Sequence, residues 1–192
     1  MRRRLILAPA AALSALLVLS GCMGGGMGPY ADPDGAPTQV DPYDQSDVHF
    51  TMMMIPHHEQ AIEMSGILLD ADGIDAELTD LAERITAAQA PEIEFMRAWL
   101  DARGLPDSDG MGDMPGNGMM SDDELDDLRA LDGDAAEVLF LTAMIEHHRG
   151  AIEMAQDEIA AGRDAEIIAL CGRIVESQTA EIAEMETLLA AR

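Results

Sequence analysis

The sequence predicts an all-α protein, an antiparallel four-helix bundle built from two duplicated helical hairpins. Three observations carry this. Residues 48–65 and 138–155 share 10 identities in 18 positions, from Val48/Val138 through Met64/Met154. Residues 75–100 and 164–189 share 11 in 26, among them Arg84/Arg173, Gln89/Gln178, Glu92/Glu181, Ile93/Ile182 and Met96/Met185. Each copy places apolar residues at helical spacing, so each hairpin carries an apolar stripe that is buried best against the other's, about an approximate twofold.

The elements follow in order. Residues 1–21 read as an export signal, because three arginines precede an apolar run that ends in small residues. The run is short for a bilayer span. Leu19-Ser20-Gly21-Cys22 resembles a bacterial lipobox, which makes Cys22 the expected lipidation site and first mature residue. Residues 22–45, rich in Gly, Pro and Asp, form a flexible tether between lipid and domain. The duplicated domain spans 46–192. Ser46 is placed to cap a helix running to about Asp70, and Pro56 should kink it. A second helix covers about 75–102, with Gly104 beyond its end. A Met-rich loop occupies 104–120, and Ser121 with Glu124 forms a capping box for a short helix. Asp134 can open the third long helix, which stops before Gly162, and the fourth runs over about 164–191.

Removing residues 1–21 leaves all 37 acidic residues against 8 arginines, a formal charge of 8 − 37 = −29, and the chain has no lysine. Such a surface repels nucleic acid and anionic lipid, and it draws cations over about a Debye length. With Cys22 lipidated, Cys171 is the only thiol left, so no intramolecular disulfide forms. On its helix Cys171 reads as a small buried hydrophobe.

The duplicated unit contains MIPHHEQAIEM at 54–64 and MIEHHRGAIEM at 144–154, holding four of the chain's five histidines. At about 100° per residue from Met54, His57 lies near −60° and His58 near +40°, with Ala61 between them one turn on. The pair thus straddles the apolar stripe. Glu59 and Glu63 point outward, as does His49. Four inward imidazoles brought together by a twofold need partners for their ring nitrogens, and a metal ion is one. Met54 and Met144 sit four residues before His58 and His148, about 6 Å of rise, within reach of a shared ion. Met64 and Met154 are assigned to the core. Glu92 and Glu181 lie at the stripe of the partner helices. Imidazole with thioether favours copper, Cu(I) especially, whereas imidazole with carboxylate suits Cu(II), iron or zinc. Met111, Met114, Met119 and Met120 in the loop tilt the donor set towards copper.

The Phe-x3-Met-Ile-x-His-His-x2-Ala-Ile-x-Met unit (Phe50 to Met64, repeated from Phe140 to Met154), the Gln-x2-Glu-Ile-x2-Met unit and the Met-rich link before Ser121 resemble the bacterial domain-of-unknown-function family 305. The match covers about 46–192. The resemblance implies a ferritin-like bundle, export, and for some members copper binding and resistance. It points to His57, His58, His147 and His148 with Met54 and Met144. The function expected first is a lipid-anchored copper buffer or carrier outside the cytoplasm, exchanging its ion with a donor or acceptor protein. A di-metal oxidase or peroxidase using the four histidines with Glu92 and Glu181 is the enzymatic alternative. It is weakened because di-iron bundles use several inward glutamates and Glu-x-x-His spacing, which the histidine helices lack. A third alternative is a metal-free module that presents an acidic surface to a partner.

Overall fold

A computed structural model describes residues 42–107 and 116–192, all within one compact unit. The expected export signal, Cys22, most of the tether, and Met111 and Met114 lie outside the described residues. Among the described residues five helices are present: α1 (Gln45–Asp70), α2 (Ala76–Asp101), α3 (Asp122–Arg129), α4 (Gly133–Ala161) and α5 (Ala165–Ala190). Short turns make α1–α2 and α4–α5 antiparallel hairpins, and the hairpins meet through α1 and α4. The short α3 rests on that α1–α4 seam. The bundle of four long helices is therefore the one that the duplication predicts. Among the described residues no helix is long and apolar enough to cross a membrane.

The helix starts correct two expectations. Asp44, not Ser46, caps α1, in a capping box with Asp47. The Ser46 hydroxyl instead donates to Glu158 Oε2 at 2.7 Å. At the other seam end α4 starts after Asp132, ahead of Asp134, and the Asp132 carboxylate accepts from the backbone N–H of Asp72 at 2.8 Å. In both places a carboxylate that could serve its own helix, or a hydroxyl beside it, is committed to the neighbouring one. Ser121 and Glu124 form the expected capping box at α3. The helices α1 and α2 continue through Pro56 and Pro91. Each proline removes one backbone donor from its helix.

The twofold extends to the bundle ends. Asp47 on α1 accepts from the backbone N–H groups of Arg163 and Asp164 at the start of α5, at 3.1 and 2.9 Å. Its repeat counterpart, Glu137 on α4, accepts from the N–H of Asp75 at the start of α2, at 2.6 Å. Both acids are buried, and each satisfies donors that a helix start leaves open.

Among the described residues two apolar clusters fill the interior. One gathers Met64, Leu68, Leu81, Ile85, Phe140, Met144 and Met185 with their neighbours. The other gathers Phe50, Met54, Ile93, Met96, Trp99, Ile167 and Ile174. The repeat exchanges the two, as Phe50/Phe140 and Met54/Met144 show. Truncating one such Leu or Met to Ala costs about 2–5 kcal/mol. His57, His58, His147 and His148 lie between the clusters along α1 and α4, so a polar layer interrupts the core at mid-length.

Candidate metal centre

All four histidines are buried, the most accessible at 1%. They are brought together by the crossing of α1 and α4. The His57 and His147 rings pack against each other with centroids 3.8 Å apart and a 39° tilt, and His148 follows 6.3 Å from His147. The pairs therefore face one another at one level, as the twofold requires.

Their hydrogen bonds differ by position. His58 Nε2 lies 2.8 Å from Glu92 Oε2, and His148 Nε2 lies 2.7 Å from Glu181 Oε2. A carboxylate only accepts, so each Nε2 carries a proton, and the ring's other nitrogen, Nδ1, points away from the carboxylate. His57 Nε2–H donates to the Asn117 backbone carbonyl at 2.9 Å. His147 has a hydrogen-bond partner at neither nitrogen, and Nδ1 of His57, His58 and His148 also has none. Burial, with repulsion from His58 and His148, lowers His57 to about 4, against the raising effect of its bond to Asn117. Burial, then His57, His148 and His58, holds His147 well below the ordinary histidine value, against the raising effect of the adjacent His57 backbone. Burial thus keeps His57 and His147 neutral, and Nδ1 of all four imidazoles has no protein partner. Gln89 and Gln178, one turn before Glu92 and Glu181, are buried with side-chain atoms likewise unpartnered.

The donor chemistry fits a metal. Carboxylate–imidazole pairs with the opposite nitrogen free are the outer-shell arrangement that orients histidine ligands. In this arrangement Glu92 and Glu181 sit behind the imidazoles. Among the described residues no group of three or more His, Cys, Asp or Glu side chains converges to hold one ion. His57 and His147 instead lie ring against ring at a tilt.

The other expected residues separate. Met54 and Met144 are fully buried, one in each apolar cluster. Met64 is in the core as expected, while Met154 is half-buried and lines a cavity of about 270 Å³ with His49, Met53 and Asn117. Met120, expected as a loop donor, is instead buried in the first cluster, where Gln60 holds its backbone against α1. Met119 is half-buried. Cys171 is buried, and burial pushes its thiol up to about 12.

Three features were not anticipated: at the centre, the Asn117 carbonyl on His57 and the Gln60 clamp on Met120, and at the bundle end, the inward acid Glu158. Asn117-Gly118 is a turn dipeptide. Gln60 and Gly150 occupy one repeat position, as do Leu68 and Glu158. Departures from the repeat were the available signal.

Comparison with known proteins gives the relationship. A DUF305 protein of Streptomyces coelicolor, described as a candidate secreted protein, is 40% identical, with a TM-score of 0.67 over 76% of this chain and 93% of that one. A DUF305 fragment from Deinococcus radiodurans is 29% identical, with a TM-score of 0.70 over 79% and 99%. CopM, solved in Cu(I)-, Cu(II)- and silver-bound forms, is 31% identical in the Cu(II) form, with a TM-score of 0.66 over 76% and 96%. Among curated proteins no match is found. The family model for a domain of unknown function, DUF305, matches residues 47–189, and the chain belongs to that family.

Proposed function

We propose that this is an exported copper-binding protein that buffers or carries the ion outside the cytoplasm, with His57, His58, His147 and His148 as the central ligands. The observation that carries the reading is the set of four buried imidazoles whose Nδ1 atoms have no protein partner. The likeness to CopM, which was solved with Cu(I), Cu(II) and silver bound, supports copper as the ion.

In this reading Glu92 and Glu181 hold the Nε2 protons of His58 and His148, and Nδ1 faces the ion. Met54 and Met144, one turn before those histidines, supply thioethers that favour Cu(I). Binding requires His57 and His147 to unstack, so ion entry moves side chains at the seam. Met111, Met114 and Met119 are proposed as capture ligands of the loop, while Met120 takes part only if it leaves the core. A lipid anchor at Cys22, supported by the Leu19-Ser20-Gly21-Cys22 sequence, would hold the domain at a membrane surface. There it could exchange copper with a donor or acceptor protein.

The test is competitive loading of untagged protein with Cu(I), Cu(II), Zn(II) and Fe(II), followed by metal analysis. Retention of copper against the other ions supports the proposal. Preferential iron retention with oxygen-dependent turnover would replace it with the di-metal oxidase reading. Retention of no ion would leave the module reading.

A further inference from the structure

We infer that residues 116–120 form a strap that positions the histidine centre, with Asn117 as the positioning residue and Gln60 and Gly150 as its two anchors. The inference rests on the metal-binding reading for its consequence, and on the geometry of the bundle for its existence.

The duplication aligns position 60 with position 150, and the two copies differ there: glutamine on α1, glycine on α4. Both residues serve the same segment. The Gln60 side chain, 6% exposed, donates from Nε2 to the Met120 carbonyl at 2.8 Å and accepts at Oε1 from the Met120 N–H at 2.8 Å. It pairs with that residue's backbone as an adjacent strand would. Gly150 gives the strap room on the other side. A Cβ built there would stand 1.6 Å from the Asn117 carbonyl oxygen and 2.2 Å from its carbon. Gly118 completes the fit, since its Cβ would meet the Glu146 carbonyl oxygen at 2.1 Å and His147 Cα at 2.9 Å. Asn117 and Gly118 both have positive φ, at 53° and 80°, which suits Asn and Gly far better than other residues. The strap therefore lies in a notch across the histidine-bearing turns, and backbone contact on α4 faces a side-chain clamp on α1.

Seated there, Asn117 presents its carbonyl to His57 Nε2. A carbonyl accepts only, so the proton is fixed on Nε2 and the Nδ1 lone pair faces the interior. Glu92 and Glu181 impose the same tautomer on His58 and His148. The strap thus gives His57 what the duplicated carboxylates cannot, because only one of them exists per repeat. It also breaks the twofold: the strap's carbonyl is bonded to His57 and not to its counterpart His147. One central imidazole is held by the strap and its mate is not. On its other side Asn117 lines the open cavity that contains His49, Met53 and Met154, so the strap is also the wall between that cavity and His57.

The test uses the full chain labelled with ¹⁵N-histidine and follows ring tautomers by NMR without added metal, alongside Cu(I) affinity by chelator competition. Gly150→Ala should displace Asn117 and Gln60→Ala should release Met120. In either variant the His57 ring should pass from a fixed Nε2–H form to a mixture, while His58 and His148 stay fixed by their carboxylates. Cu(I) affinity should fall about 10–100-fold, the usual effect of losing an outer-shell partner, with stoichiometry retained. Gly172→Ala, a helical glycine with nothing within 4 Å of its Cβ, should change neither readout. Should Gly150→Ala fail to fold, Gln60→Ala decides alone, because it removes atoms and adds none. An unchanged His57 tautomer in the variants overturns the strap. A changed tautomer with unchanged Cu(I) affinity overturns its positioning role. If the wild type binds no copper, the proposed function fails while the tautomer result still decides whether the strap holds His57.

Discussion

His57 is held at about 4 against an ordinary value of 6.5, chiefly by burial. Between those pH values the unfolded chain takes up a proton that the folded chain refuses. Stability from this group is therefore complete above pH 6.5 and is lost as pH falls towards 4, by at most about 3 kcal/mol. His147 acts in the same direction. Urea midpoints of the protein without added metal should fall on acidification across that window, and His57→Ala should flatten the slope. An equally steep slope in the variant would contradict the assignment. Acid release of copper should for the same reason come well below pH 6.5. The carboxylates behind His58 and His148 make a second residue-level prediction. Glu92→Gln or Glu181→Gln keeps the shape but loses the acceptor charge that orders Nε2–H. Copper affinity should drop about 10–100-fold in a chelator titration. No change would make these two glutamates ordinary surface partners of buried imidazoles.

Among the elements, α1 and α4 do most to position the site, and their ends show how a duplicated pair diverges. Where α1 has Leu68, α4 has Glu158, buried against Ser46 and near Asp47. Burial, opposed by the Ser46 hydrogen bond and reinforced by Asp47, raises Glu158 from 4.5 to about 7. A raised carboxyl gives stability that is complete below pH 4.5 and is lost as pH climbs through 7. Glu158→Gln keeps the neutral shape, so it should stabilise the protein by about 1–3 kcal/mol at pH 8 and change little at pH 4.5, measured by urea unfolding. Equal gains at both pH values would contradict this. The long helices and the inward face of the four histidines were legible because the 3.6-residue period and the repeat are local patterns. The caps were not. Asp44 and Ser46 are both able to cap α1, and Ser46 is diverted by Glu158, a contact 112 residues away. Met120 could not be read as core either, because only the Gln60 clamp brings it there. The Asn117 carbonyl is backbone, and no side-chain pattern announces it.

At the scale of the whole molecule, the twofold places a polar layer between two apolar clusters that the repeat interchanges, inside a surface of formal charge −26 over the full sequence. That charge concentrates cations near the domain, and added salt should slow metal uptake more than it weakens the final complex. The apolar clusters on either side bury the histidine layer, whose Nδ1 atoms have no protein partner. Neither hairpin contains more than half of the layer, so the central claim is one of sharing: the two repeats complete one copper centre together. Its most direct measurement is Cu(I) binding at pH 7 by wild type, by the variant with His57→Ala and His58→Ala, and by the variant with all four histidines changed to Ala. If the repeats share one centre, the two-histidine variant loses far more than half of the histidine-dependent binding and resembles the four-histidine variant. Survival of half the sites at native affinity would contradict sharing, and equal copper binding by wild type and the four-histidine variant would contradict the centre itself.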